Sequence, residues 1–299
     1  MNASRRGLGY GIAAYLLWGI APMYWKQLTG VSPAEIIAHR LVWGAFTFAA
    51  IVGIAGAAPA VRAAIADRKT LAMMALSGAL LTANWGMFVG AVVTGHILDA
   101  SLGYFINPLL SVALGTLVLR ERLRRLQWLA IGLAMTGVLM WTWRAGRVPW
   151  IALVIAVTFG CYGLVRKIAR VESLAGSTIE TALLTPIAGG YLAILAVGGG
   201  GQLGHASAGL QLLVLVTGVV TAVPLLLFSS AARRLPLSTL GFLQFLTPTM
   251  QMVLGVVVYG EPLARDRLIA FAAIWLGLIA LSVDLVHQSR RPPISRTGR

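Results

Sequence analysis

Residues 100–121 read ASLGYFINPLLSVALGTLVLRE and residues 237–261 read LSTLGFLQFLTPTMQMVLGVVVYGE. Sliding one along the other by 140 residues superposes Pro108 on Pro248, Leu114 on Leu254, Gly115 on Gly255 and Glu121 on Glu261, and further on Gly137 on Gly277. Matches among apolar residues arise easily by chance, so the weight rests on the Pro and the Glu, which keep the same spacing in both copies. Similar shifts bring Gly78 onto Gly218, Phe88 onto Phe228, Gly19 onto Gly160 and Lys26 onto Lys167. The chain reads as a duplication, with its first copy over 1–145, its second over 146–286 and a basic tail over 287–299.

Both stretches are long enough and apolar enough to cross a bilayer, whose hydrocarbon core takes about 20 residues of helix. The same pattern recurs along the chain, at 8–27, 34–56, 71–93, 98–119, 126–143, 149–168, 177–197, 209–232, 238–259 and 268–286. In lipid the backbone polar groups must be satisfied within each segment, so these stretches are expected to be helices. The predicted fold is therefore all-α, a polytopic membrane protein of ten transmembrane helices. Five spans per copy is an odd number, so the second copy enters the membrane upside down and the repeats are inverted, a construction common in secondary transporters.

Composition agrees. The 299 residues are 58% hydrophobic and only 11% charged, with a mean hydropathy of +0.84. The formal charge of +15 would in a soluble chain suggest a nucleic-acid partner. Here the basic residues lie between apolar blocks with no interleaved aromatics on a polar background, so no nucleic-acid partner is expected and anionic headgroups are the better counter-charge. Lys and Arg mark cytoplasmic loops. With both termini cytoplasmic, all of the 24 Lys and Arg residues fall on that side except Lys26, Arg40, Arg144, Arg147, Arg265 and Arg267. This places the chain in the plasma (inner) membrane as a multi-pass protein. Arg5 and Arg6 precede an apolar run too long for a signal peptide, which reads as the first span. One cysteine, Cys161, and four scattered histidines suggest neither disulfide nor metal site. No G-x-x-x-x-G-K-[ST] phosphate loop is present.

The segments WGIAPMYWK (18–26), EIIAHR (35–40), the continuation of the first repeated stretch to residue 130, YGLVRK (162–167), IETALLTP (179–186) and the second repeated stretch together resemble the drug/metabolite transporter superfamily with EamA-type five-helix repeats, and within it the RarD group. The resemblance runs through nearly the whole chain. It implies a plasma-membrane permease of about ten helices, with no cofactor, for a small metabolite or drug-like solute. That group is commonly linked to chloramphenicol sensitivity.

Ionisable residues within spans are the first functional candidates, because each is costly unless it faces a wet cavity or a partner. Glu35 and His39 are four apart and share one face of the second helix, with Arg40 about 100° around. They form either a polar functional cluster or a helix-start cluster with Arg40 snorkelling outward. Glu180 lies deep in a second-copy span. A carboxylate in low dielectric is suited to loading and releasing a proton, so Glu180, with His39 and Glu35, is the candidate for proton coupling. The alternative is a permanent ion pair of Glu180 with Arg40 or Lys167.

The first span carries Gly19 and Pro22 and ends in Tyr24, Trp25 and Lys26, a pattern that predicts a kinked or broken helix. Trp18, Tyr24 and Tyr162 can line a cavity and stack on a planar or cationic solute, or belong to the packing and the interfacial belt. Asn84, Trp85, Asn107 and Gln244 offer uncharged contacts to a solute, or interhelical bonds. Pro108, Pro224 and Pro248 are expected as hinges or kinks. Glu121 and Glu261 belong to the loops. Two other classes of function are an intramembrane enzyme on a lipid-linked substrate, for which no nucleophile–base or carboxylate pair is evident, and a passive membrane subunit. Small residues such as Gly132 leave homo-oligomerisation open.

Overall fold

The computed structural model describes residues 3–28, 30–93, 97–123, 125–145, 149–202, 205–258, 260 and 275–276. Among these, all regular structure is helical: α1 (Ala3–Trp25), α2 (Pro33–Ile54), α3 (Ala58–Ala66), α4 (Arg68–Val93), α5 (Ile97–Leu117), α6 (Arg125–Ala145), α7 (Trp150–Ile168), α8 (Ser173–Val197), α9 (Ala208–Ala232), α10 (Leu237–Gln244) and α11 (Leu246–Val253), followed by a π-helical turn at Leu254–Val258. Six stretches of the described residues are long and apolar enough to cross a membrane: Pro33–Ile54, Arg68–Phe88, Trp150–Ile168, Ser173–Val197, Ala208–Ala232 and Leu237–Val258. The tenth expected span, 268–286, lies outside the described residues except for 275–276, as do Glu261 and the basic tail.

Local chemistry sets the helix starts. Ser32 is extended (φ −64°, ψ 144°), its side chain accepts from the Glu35 amide, and Pro33 occupies the first helical position of α2, where a missing N–H costs nothing. Ser207 caps α9 in the same way by accepting from the Leu210 amide.

Two elements depart from the expected pattern. The segment between the second and third spans contains the nine-residue helix α3, too short to cross a bilayer. Ala60, Val61 and Ala64 of α3 pack on a cluster of Met74, Ala169, Val171, Ala175 and Ile179. The ninth span is not one helix. Pro248 has no N–H to give to the carbonyl of Gln244, four residues earlier, and the helix breaks at Phe245, between α10 and α11. By contrast, α1 runs unbroken through Pro22, and α5 through Pro108.

The most extensive helix contacts each join an element before residue 146 to one after it: α5 with α7 and α10, α2 with α8 and α9, α1 with α9, and α4 with α7. Close approach at these seams needs small residues. A Cβ on Gly19 of α1 would lie 2.6 Å from Met250 Cβ of α11. At the centre, Tyr15, Phe48, Tyr162, Leu225, Phe228 and Leu240 form a buried cluster with Trp18 and Phe159 packed against it. The Tyr162 and Phe228 rings stack at 5.5 Å, and Trp18 meets Phe159 edge-on at 5.9 Å. The outer surface is apolar. On α8, Ile187, Ile194 and Val197 are 75, 74 and 91% exposed, a distribution suited to lipid and not to water.

Candidate functional site

Three polar assemblies sit among these apolar helices. The first is built on a fully buried arginine. Arg166 lies in the last turn of α7, and its guanidinium donates through Nε to Ser229 Oγ at 3.1 Å, through Nη1 to Glu180 Oε2 at 3.4 Å and to Met74 Sδ at 3.1 Å, and through Nη2 to the Ser173 carbonyl and Ser177 Oγ at 3.1 and 3.2 Å. Glu180 also accepts from Ser77 Oγ at 2.9 Å and from the Tyr162 hydroxyl at 3.2 Å. Both side chains of the pair are 1% exposed, so their attraction is unscreened by water and each depends on the other for compensation. The cation paired with Glu180 is thus Arg166, neither Arg40 nor Lys167. Lys167 turns instead to the carbonyls of Ala232 and Leu235. Gly176 makes room for the network, since a Cβ there would overlap the Arg166 guanidinium.

The second assembly is at the start of α2. Glu35 and His39 are both buried, with Glu35 Oε1 3.6 Å from His39 Nε2. Ser32 and Glu35 have the spacing of a capping box, yet the Glu35 carboxylate reaches away from its own helix and accepts from the Gln202 amide at 2.7 Å. It thereby ties the connection between α8 and α9 to α2.

The third assembly surrounds Arg40. Its Nε donates to Thr221 Oγ1 of α9 at 3.0 Å, and its Cζ lies 4.1 Å from the Trp85 ring centroid and 4.7 Å from that of Trp25, within cation–π range. Tyr24 packs edge-on to Trp25 at 4.9 Å, and its hydroxyl donates to the Leu213 carbonyl. Four helices, α1, α2, α4 and α9, thus supply groups to one point, and Arg40 itself stays partly accessible.

The remaining candidates are dispersed. Asn84 is buried and bridges α4 to α7, donating to the Ile155 carbonyl at 2.8 Å and Thr158 Oγ1 at 3.1 Å. Asn107 is buried, with no partner for its Oδ1 among the described residues, and Gln244 is buried at the end of α10. Trp18 belongs to the central aromatic cluster. Pro224 is buried within α9, and Pro248 lies just past the break before α11. Among the described residues, no three His, Cys, Asp or Glu side chains come close enough to hold a metal ion.

Sequence reading did not single out Arg166, Ser77, Ser177, Ser229, Thr221 or Gln202 as site groups. A helical signal for the first assembly existed. Tyr162 and Arg166 are four apart on α7, and Ser173, Ser177 and Glu180 recur at four and three on α8, so each set shares a face. Nothing local connects Thr221 or Gln202 to α2.

Residues 5–143 match the EamA-like transporter family. The chain is 45% identical to an uncharacterized transporter of Pseudomonas aeruginosa, over 97% of both chains. It is 43% identical to protein RarD of Escherichia coli, over 96% of this chain and 97% of that one. A solved crystal structure sharing 19% identity superposes with a TM-score of 0.72, covering 97% of this chain and all of the other. That likeness is one of fold.

Proposed function

The chain belongs to the EamA-like transporter family, in its RarD-type branch, and on that footing we propose that it is a secondary transporter of a small metabolite or drug-like solute, working by alternating access between two inverted five-helix repeats. The observation that carries the reading is the convergence of α1, α2, α4 and α9 on the guanidinium of Arg40, at a seam where helices of the two sequence copies meet. Inverted halves of similar stability can exchange inward-open and outward-open arrangements around such a point. The 140-residue register supports ten spans in two repeats, 1–145 and 146–286. The Lys and Arg distribution supports an inner-membrane location with both termini cytoplasmic.

In this reading Trp18, Tyr24, Arg40, Asn84, Trp85, Asn107, Tyr162 and Gln244 border the solute pathway, and Pro22, Pro108, Pro224 and Pro248 are points of flexure. The solute gradient or an ion gradient supplies the energy. If protons couple, Glu180, His39 and Glu35 are the groups to carry them, and a proton on Glu180 must then compete with Arg166 for the carboxylate. Uptake of amino acids, amines and amphenicol drugs into proteoliposomes of the purified chain, with and without an imposed pH gradient, tests the proposal. Accumulation of one class is expected. No flux of any solute through demonstrably folded protein would overturn it, and Glu180→Gln transporting equally at every gradient would remove the proton role.

A further inference from the structure

Among the described residues, Arg40 and Arg166 both lie inside the bundle. Arg166 is wholly buried and places Nε, Nη1 and Nη2 on protein acceptors, a carboxylate among them. Among the described residues Arg40 donates through Nε alone, to Thr221. Among the described residues no carboxylate lies within ion-pair distance of it and no group accepts from Nη1 or Nη2. An arginine within a helical bundle is held at a cost unless something answers its charge. Fixed negative charge would be the ordinary structural answer, and Arg40 lacks it among the described residues.

Placement argues against a lipid headgroup as the missing partner. Arg40 is about 10 Å along α2 from Pro33, at 1.5 Å per residue, and Thr221 lies near the middle of α9. The surrounding groups come from four helices, so the guanidinium faces the interior of the bundle and not its lipid surface. Its orientation is also constrained. Trp25 and Trp85 flank the guanidinium and Thr221 takes the Nε side, which leaves the Nη1–Nη2 edge with its two parallel N–H bonds. That edge fits the two oxygens of a carboxylate.

We propose that Arg40 is the anion-recognising point of the solute site, and that the transported solutes carry a carboxylate bound end-on by Nη1 and Nη2 while Trp25 and Trp85 hold the guanidinium in place. The inference rests on the transporter reading and narrows it to carboxylate-bearing solutes. Solutes whose only charge is positive are disfavoured at this point by repulsion.

The test uses the full chain in detergent, with thermal unfolding followed by tryptophan fluorescence. The probes are phenylacetate, indole-3-acetate, succinate and L-glutamate at millimolar concentration, each beside its amide, together with phenethylamine and inorganic phosphate. Wild type is compared with Arg40→Lys, Arg40→Gln and, as a control for general electrostatics, Arg62→Gln on the exposed face of α3. The expected result is saturable stabilisation by at least one carboxylate and not by its amide. Arg40→Lys should weaken it tenfold or more, because the ammonium keeps the charge and loses the fork, and Arg62→Gln should leave it unchanged. Equal stabilisation by acid and amide overturns the proposal. So does wild-type affinity in Arg40→Lys, stabilisation by phosphate or amine alone, or the absence of any effect of carboxylates on wild type. Flux separates the two readings. Uptake of neutral or cationic solutes alone would refute the carboxylate class and leave transport standing, whereas carboxylate binding at Arg40 without flux of any solute would refute transport and leave the site.

Discussion

Changing Glu180 to Gln keeps the shape of the side chain and one of the two oxygens that accept from Ser77 and Tyr162, while removing the only charge opposite Arg166 among the described residues. Both side chains are excluded from solvent, and breaking a buried ion pair from one side costs about 3–5 kcal/mol because the surviving charge is left uncompensated. At roughly 2–4 °C per kcal/mol for a chain of comparable size, the melting temperature should fall by roughly 6–20 °C. Arg166→Met should cost a similar amount, since it strands the carboxylate and takes the guanidinium's bonds from the Ser173 carbonyl and the Ser177 and Ser229 hydroxyl oxygens. The double variant removes both charges, and Ser177 and Ser229 remain within 3.3 Å of each other to satisfy one another. It should be more stable than the sum of the single losses by about 2 kcal/mol or more. Thermal unfolding of the four proteins in one detergent, at one pH, measures this cycle. Losses that add to within about 0.5 kcal/mol would refute the reasoning, because they would mean the two groups are energetically independent.

Three further outcomes follow from particular contacts. Glu121 accepts from the amides of Leu237 and Ser238 and from the Ser238 hydroxyl at 2.7, 3.0 and 2.7 Å, so it caps α10 from the far side of the sequence. Glu121→Ala should cost about 1–2 kcal/mol and speed amide exchange at Leu237 and Ser238 before other α10 sites. Gly19→Ala places a methyl against Met250 and should destabilise by about 1–3 kcal/mol through overpacking, which thermal unfolding reads; an unchanged melting temperature would mean α1 and α11 can separate freely. Asp67, outside the spans, is held below the ordinary aspartate pKa of about 3.9 by bonds from the Thr70 hydroxyl first and then the Thr70 and Lys69 amides. A depressed carboxylate stabilises the folded state fully above its unfolded pKa and loses that contribution as pH falls through the folded one. Amide protection at the start of α4 should therefore drop in that acid window in wild type, and Asp67→Asn should remove the pH dependence.

Membrane character, the helical stretches and the family were legible in the sequence, because each rests on features that repeat locally: apolar length, the spacing of Pro108 and Glu121, and contiguous motifs such as EIIAHR. The interior chemistry was legible only in part. Glu35, His39, Arg40 and Glu180 stand out as ionisable residues in apolar surroundings, and the structure gives each a defined place. Their partners do not stand out. Arg166 reads as one more basic residue at a cytoplasmic helix end, and only the packing of α7 against α8 turns it inward. Thr221 and Gln202 reach α2 across more than 160 residues of chain, a distance no local pattern encodes. Helix α3 was not legible because nine residues between spans look like loop, whereas the break at Phe245 falls just before Pro248, where a hinge or kink was expected although hydropathy is continuous there.

Counterflow in proteoliposomes is the measurement closest to the central claim. Vesicles loaded with an unlabelled solute that the uptake panel identifies, then diluted into trace labelled solute, should accumulate label transiently above its equilibrium level before returning to it, because a site exposed alternately to each side exchanges one molecule for another. A monotonic approach to equilibrium at the same rate with or without internal solute would contradict alternating access and mark the chain as a passive pore or subunit.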